Sequence, residues 1–111
     1  MINIEKRGNI EIISFTDKKL NALTSDIFRQ EVFHLFNEPQ SKIIINLASI
    51  EFIDSTGFAT LLTLLRAAKN NYSILKLCNP EPEVQKLFNT LHLDSVFEIY
   101  SSIDECINSF N

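Results

Sequence analysis

Four residues near the middle of the chain, Asp54, Ser55, Thr56 and Gly57, sit between two apolar runs. Two hydroxyls beside a carboxylate support two kinds of chemistry. They can cap a helix, because Ser, Thr and Asp oxygens accept the free N–H groups of a first turn, a contact worth about 0.5–2 kcal/mol against Ala. They can also hold a hydroxyl out for covalent modification. Capping is the simpler reading of the residue types, with Ser55 or Thr56 as the cap and Asp54 just outside it. Gly57 sits awkwardly with that reading, since glycine in a helix costs up to about 1 kcal/mol relative to Ala. It makes sense where something must approach the backbone closely or where the first turn is tight.

Other chemistries find no support. A serine nucleophile needs a base, and the G-x-S-x-G elbow is absent. His34 falls in a helical pattern and His92 in a distant loop. No P-loop, G-x-G-x-x-G or zinc signature occurs, so no cofactor or metal is implied. Cys78 and Cys106 are too few and too far apart in sequence for a disulfide framework or a C-x-x-C knuckle. The net charge is −4 and Lys and Arg are scattered, which argues against direct nucleic-acid binding. No apolar run reaches the roughly 18 residues of a membrane span. The N-terminal MINIEKRGNIEI carries charges where a signal peptide needs its apolar stretch, so the expected location is cytoplasmic.

The elements that must position residues 54–57 follow from periodicity. With 111 residues, 45% hydrophobic and 22% charged, residues 1–111 are read as one globular domain. INIEKR and NIEIISF flank Gly8-Asn9 as a hairpin. TDKKLNAL reads as a loop. TSDIFRQEVFHLFNE places Ile27, Phe28, Val32, Leu35 and Phe36 on one helical face, with Thr24 or Ser25 as its cap and Pro39 as its stop. SKIIINL is a β-branched run suited to a strand buried on both faces. Past the motif, TGFATLLTLLRAAKNN is a helix with a core stripe of Phe58, Leu61, Leu62, Leu65 and Ala68. YSILKLC is a strand. NPEPEVQKLFNTLHL is a helix with Asn79 as cap, Pro80 and Pro82 in or near the first turn, and Val84, Leu87, Phe88 and Leu91 inward. VFEIY is a short strand. SSIDECINSF is a last helix, with capping-box spacing from Ser102 to Glu105 and an inner face of Ile103, Cys106, Ile107 and Phe110. The alternation predicts an α/β fold, a mixed sheet of about four to five strands with about four helices packed against it.

Three segments together resemble the STAS family (sulphate transporter and anti-sigma factor antagonist domains). They are the strand, motif and helix in IIINLASIEFIDSTGFATLLTLLRAAKNN, the helix opening in LNALTSDIFRQEV, and the closing pattern LKLCNPEPEVQKLFNTLHLDSVFEIYSSIDECI. The small stand-alone anti-sigma factor antagonists are the most similar members. The resemblance implies a regulator rather than an enzyme, with Ser55 as phosphoacceptor, Asp54 as its acidic neighbour, Thr56 as the second hydroxyl and Gly57 completing the motif. It implies two partners: an anti-sigma factor that is also a serine kinase of the histidine-kinase-like ATPase type, and a metal-dependent Ser/Thr phosphatase. Unphosphorylated antagonist would bind the anti-sigma factor and release the sigma factor. The chain departs from the family at Asn21, where members carry Asp, and in lacking the Gly-Glu before it.

Switching can be expected to act at the interface. A phosphate adds about −1.5 to −2 charges at neutral pH and would enter a patch shaped for a neutral hydroxyl. Asn21, Phe58, Ala59, Thr60 and Thr63 are the expected partner contacts, because Ala59, Thr60, Thr63 and Leu64 are unusually apolar for an outward helix face. The expected assembly is a monomer or weak dimer. A second role implied by the same family is that of adaptor subunit in a lipid-transport ABC system or other transporter complex. That role needs no phosphorylation.

Overall fold

The computed structural model describes residues 1–111. Its elements run β1 (Ile2–Arg7), β2 (Ile10–Phe15), β3 (Lys19–Leu20), α1 (Ala22–Phe36), β4 (Lys42–Asn46), β5 (Phe52–Ile53), α2 (Ser55–Asn70), β6 (Ile74–Cys78), α3 (Pro82–Thr90), β7 (Ile99–Tyr100) and α4 (Ile103–Asn108). The strands form a five-stranded sheet in the order β1-β2-β4-β6-β7 and a separate parallel pair, β3-β5. Only the β1-β2 hairpin is antiparallel; Gly8 takes φ +60° in its turn, which a residue without a Cβ adopts at little cost. The predicted α/β architecture, with a mixed sheet and four helices, is the architecture observed.

Alternation along the strands divides the interior in two. Ile13, Ile45 and Leu77 stand in register and face α1 and α2, where Phe28, Val32, Phe36, Leu61 and Leu64 meet them. A chain of edge-to-face rings ties in α3, from Phe58 to Phe88 at 5.1 Å and from Phe88 to Phe97 at 5.8 Å between centroids. The opposite face of the sheet carries Ile10, Ile12, Ile44 and Cys78, and Cys106 of α4 covers it. Helices on both sides explain why Ile43, Ile44 and Ile45 have no exposed surface, as the unbroken β-branched run predicts.

Lys76 belongs to that second face and is only 6% exposed. Its ammonium donates to the Ser109 carbonyl at 3.2 Å and to the Ser109 hydroxyl at 2.8 Å, and lies 4.5 Å from the centre of the Phe110 ring. Glu98 supplies a carboxylate at 3.7 Å. The buried cation therefore holds the C-terminal end of α4, where unpaired carbonyls favour positive charge.

Several sequence expectations need correction. The 16–23 segment is not all loop, since Lys19 and Leu20 form β3. The cap of α1 is Asn21, not Thr24 or Ser25: Asn21 Oδ1 accepts from the Leu23 and Thr24 amides, and Thr24 Oγ1 accepts from the Asn21 amide at 2.9 Å. Asn79 does not cap α3. It takes a left-handed φ of 57°, the cap position is Glu81, and Pro82 opens the helix. Ser102 does cap α4, accepting from the Glu105 amide at 3.1 Å, but the Glu105 carboxylate accepts from Ser101 Oγ instead of completing the box.

Candidate functional site

Residues 54–57 lie where β5 passes into α2. Asp54 has extended backbone, and its carboxylate accepts the Gly57 amide at 2.9 Å while its carbonyl accepts the Phe58 amide at 3.0 Å. Asp54 is thus the cap, not a residue outside it, and Ser55 and Thr56 are the first two helical residues. This corrects the expectation that one of the two hydroxyls does the capping. The consequence is chemical: with a carboxylate occupying the cap, both hydroxyls are exposed and neither is hydrogen-bonded within the protein. The Ser55 and Thr56 amides have no intramolecular acceptor either, as expected in a first turn.

Gly57 owes its presence to the chain itself. A Cβ at this buried position would collide with the Leu20 carbonyl oxygen and would come within 2.7 Å of Ile53 Cγ2. Close approach of a neighbouring backbone, one of the two reasons that the sequence offers for this glycine, is therefore the operative one. That backbone is β3. Lys19 pairs with Phe52 and Leu20 with Ile53, and the Asp54 amide donates to the Leu20 carbonyl at 3.2 Å. Further bonds lace the flanking segments together, with Ser49 Oγ donating to the Phe15 and Asp17 carbonyls at 2.8 and 3.0 Å, while within the β3–α1 stretch Thr24 Oγ1 donates to the Lys19 carbonyl at 2.8 Å. Asn21, one residue past Leu20, is brought beside the Asp54–Gly57 turn.

The other expected contact residues divide. Ala59 and Thr63 are exposed, with Thr63 Oγ1 donating back to the Ala59 carbonyl at 2.9 Å. Phe58, Thr60 and Leu64 are buried in the domain's own interior. The apolar character of the last two comes from packing, because α2 is covered over a wide arc by α1, the sheet and α3. Two exposed apolar side chains near the motif escaped the sequence reading. Leu23, in the first turn of α1, is 72% exposed, and Phe52, in β5, is 47% exposed. The signal for Phe52 lies in its adjacency to the motif, but apolar residues in a strand pattern read as core.

Neither histidine takes part. His34 is exposed on α1, and His92 is exposed in the turn after α3. No cluster of His, Cys, Asp and Glu is arranged to hold a metal ion. None of the three surface clefts is lined by residues 54–57. The site is an open surface at a helix start, which suits a macromolecular partner better than a small ligand. No helix is long and apolar enough to cross a membrane.

The chain matches one family. Residues 1–106 match the STAS domain, and the chain belongs to the STAS domain family. Among its relatives is a Thermotoga maritima protein assigned as an anti-sigma factor antagonist, 27% identical over 97 residues that make up 86% of each chain. Among solved structures, an anti-sigma-factor antagonist (STAS) domain protein from Planctomyces limnophilus superposes with a TM-score of 0.89 at 20% identity, covering 97% of this chain and 96% of that one. The anti-sigma factor antagonist SpoIIAA in its unphosphorylated form superposes with a TM-score of 0.78 at 20% identity, covering 99% and 96%. The Bacillus cell fate determinant SpoIIAA in its phosphorylated form gives 0.71 at 19% identity over both whole chains.

Proposed function

We propose that this protein is a cytoplasmic anti-sigma factor antagonist whose binding is switched by phosphorylation of Ser55. The observation that carries this reading is the division of labour at the start of α2. Asp54 takes the capping role and leaves the Ser55 hydroxyl exposed and unbonded at the first helical position. In its free form the protein binds an anti-sigma factor that is also a serine kinase, and so releases the sigma factor. Transfer of phosphate to Ser55 ends that binding, and a Ser/Thr phosphatase restores it.

The electrostatics favour a local gate. A phosphate on Ser55 gains from the helix N-terminus by roughly 0.3–1 kcal/mol at an exposed site. Repulsion from the adjacent Asp54 carboxylate offsets part of that gain. The domain then keeps its fold, while the partner meets a bulky dianion where it had met a hydroxyl. Ala59, Thr63 and Asn21 stay accessible to the partner and form the rest of the proposed contact, whereas Phe58 and Thr60 support it from below.

The test is incubation with ATP and the kinase-type anti-sigma factor encoded in the same genome, followed by phosphopeptide mapping. Label is expected on Ser55 and absent from Ser55→Ala protein. Label on Thr56 alone, or label that persists in Ser55→Ala, rejects the assignment. If no such kinase binds and transporter subunits co-purify instead, the adaptor role replaces this one.

A further inference from the structure

We propose that Cys78 and Cys106 form a reversible disulfide that fastens α4 to the central sheet. The chain has two cysteines, and the fold brings them to one contact although they are far apart in sequence. Both are fully buried. Alternation along β6 points Lys76 and Cys78 to the same face. Lys76 reaches Ser109 of the α4 end, and two residues further along β6 Cys78 meets Cys106, one turn back along the helix. Cys106 Sγ lies 3.9 Å from the carbonyl of Leu77, the residue that precedes Cys78. The remaining members of this small cluster, Ile10, Ile12 and Ile44, offer nothing that would compete for either sulfur.

In the closed domain both sulfurs are shielded from solvent, although the hydrogen bond with Cys106 lowers the Cys78 thiol below its usual range. The Cys78 thiol alongside, and then burial, push the Cys106 thiol well above its usual range, so it stays protonated. Reaction requires α4 to lift. That helix has only six residues, and short elements open locally at far lower cost than the core. A hydroperoxide then oxidises one exposed thiolate: sulfur attacks the outer peroxide oxygen, the O–O bond breaks, and a sulfenic acid and hydroxide form. When α4 closes, the second sulfur attacks the sulfenic sulfur, the S–S bond forms, and the sulfenic oxygen leaves as water. In sum, two thiols and one hydrogen peroxide give one disulfide and two waters. A dithiol reverses it by exchange.

The cross-link lies on the face of the sheet opposite α2, so it leaves the Asp54–Gly57 surface unaltered. It acts on persistence, by closing the loop that holds α3 and β7.

The experiment exposes the purified protein to a small molar excess of hydrogen peroxide. The expected product is a monomer lighter by two hydrogen masses, whose non-reducing peptide map joins the Cys78 and Cys106 peptides. It should melt at least about 8 °C above the reduced protein and return to the lower midpoint in dithiothreitol. Recovery of both free thiols, oxygen addition to either sulfur without a cross-link, or a covalent dimer would each overturn the proposal.

Discussion

Asn21 and Asp54 are neighbours, and each is the N-cap of its own helix. They follow Leu20 and Ile53, which are register partners in the parallel β3-β5 pair, and their side-chain oxygens close the first turns of α1 and α2. Two helix N-termini, each carrying about half a positive charge, therefore open side by side. Asn21, standing where the family resemblance implies aspartate, caps α1 through its amide oxygen and brings no charge. That omission leaves the pair of helix ends more hospitable to an added anion.

The first prediction follows from that substitution. Asn21→Asp should change stability by no more than about 0.5 kcal/mol, because the two residues cap equally well, whereas Asn21→Ala should cost about 1 kcal/mol. Urea denaturation of the three proteins measures both. An Asn21→Ala protein as stable as wild type would mean that the capping box contributes nothing here.

Gly57→Ala should destabilise the domain by about 1–3 kcal/mol, since the added methyl has no room against the Leu20 carbonyl and Ile53. The sign is the informative part. Elsewhere in a helix the same change stabilises by up to about 1 kcal/mol. Thermal melting decides it, and a higher midpoint would show that β3 can move away from α2.

Asp54→Ala should cost about 1 kcal/mol through loss of the bond to the Gly57 amide, and Asp54→Asn should recover most of it. If Asp54→Asn loses as much as Asp54→Ala, the carboxylate charge rather than the bond is what stabilises this turn.

Ser55→Asp should leave the thermal midpoint within a few degrees of wild type, since about 1 kcal/mol moves a domain of this size by roughly 4–8 °C. Its affinity for the proposed anti-sigma partner should fall more than tenfold, which requires only about 1.4 kcal/mol at the interface. Ser55→Ala should still bind. Calorimetry and amide spectra of the three proteins are the measurement. Shifts spread far beyond α2's first turns would mean that charge at this position remodels the fold.

Lys76→Ala should speed amide exchange across Ile103–Asn108 and lower stability by about 1.5–3 kcal/mol, the range for a hydrogen bond to a charged group. Lys76→Met keeps the buried stem and should lose less. Unchanged exchange in both variants would show that Cys106 and its apolar neighbours alone hold α4.

The long elements were legible because each carries a full period of apolar residues. Ile43–Ile45 announced a doubly covered strand, and Gly8-Asn9 announced a hairpin. What the sequence concealed is short or relational. Two-residue strands such as β3 and β5 carry no alternation to read, and their pairing depends on packing between distant segments. The caps were displaced for the same reason: Asn21 and Asp54 outrank Thr24 and Ser55 because the β3-β5 pairing holds them in extended backbone, the conformation a cap requires. Thr60 and Leu64 looked like an outer face because a helix pattern shows one stripe, whereas α2 is packed on several sides. The motif residues themselves stood out by type. That Asp54 rather than a hydroxyl would serve the helix depended on backbone geometry, which no residue type encodes.

Leu20 and Gly57 touch across a contact that exists only after the chain has closed on itself. Everything that frames the serine, from the capping carboxylate to the neighbouring helix end, is contributed by two distant stretches. Under the proposed phosphorylation of Ser55, the kinase would read a finished molecule. A nascent or unfolded chain shows it a bare peptide without the second helix end, so the mark would accumulate on competent copies, and the regulatory pool would be counted after quality control rather than before it.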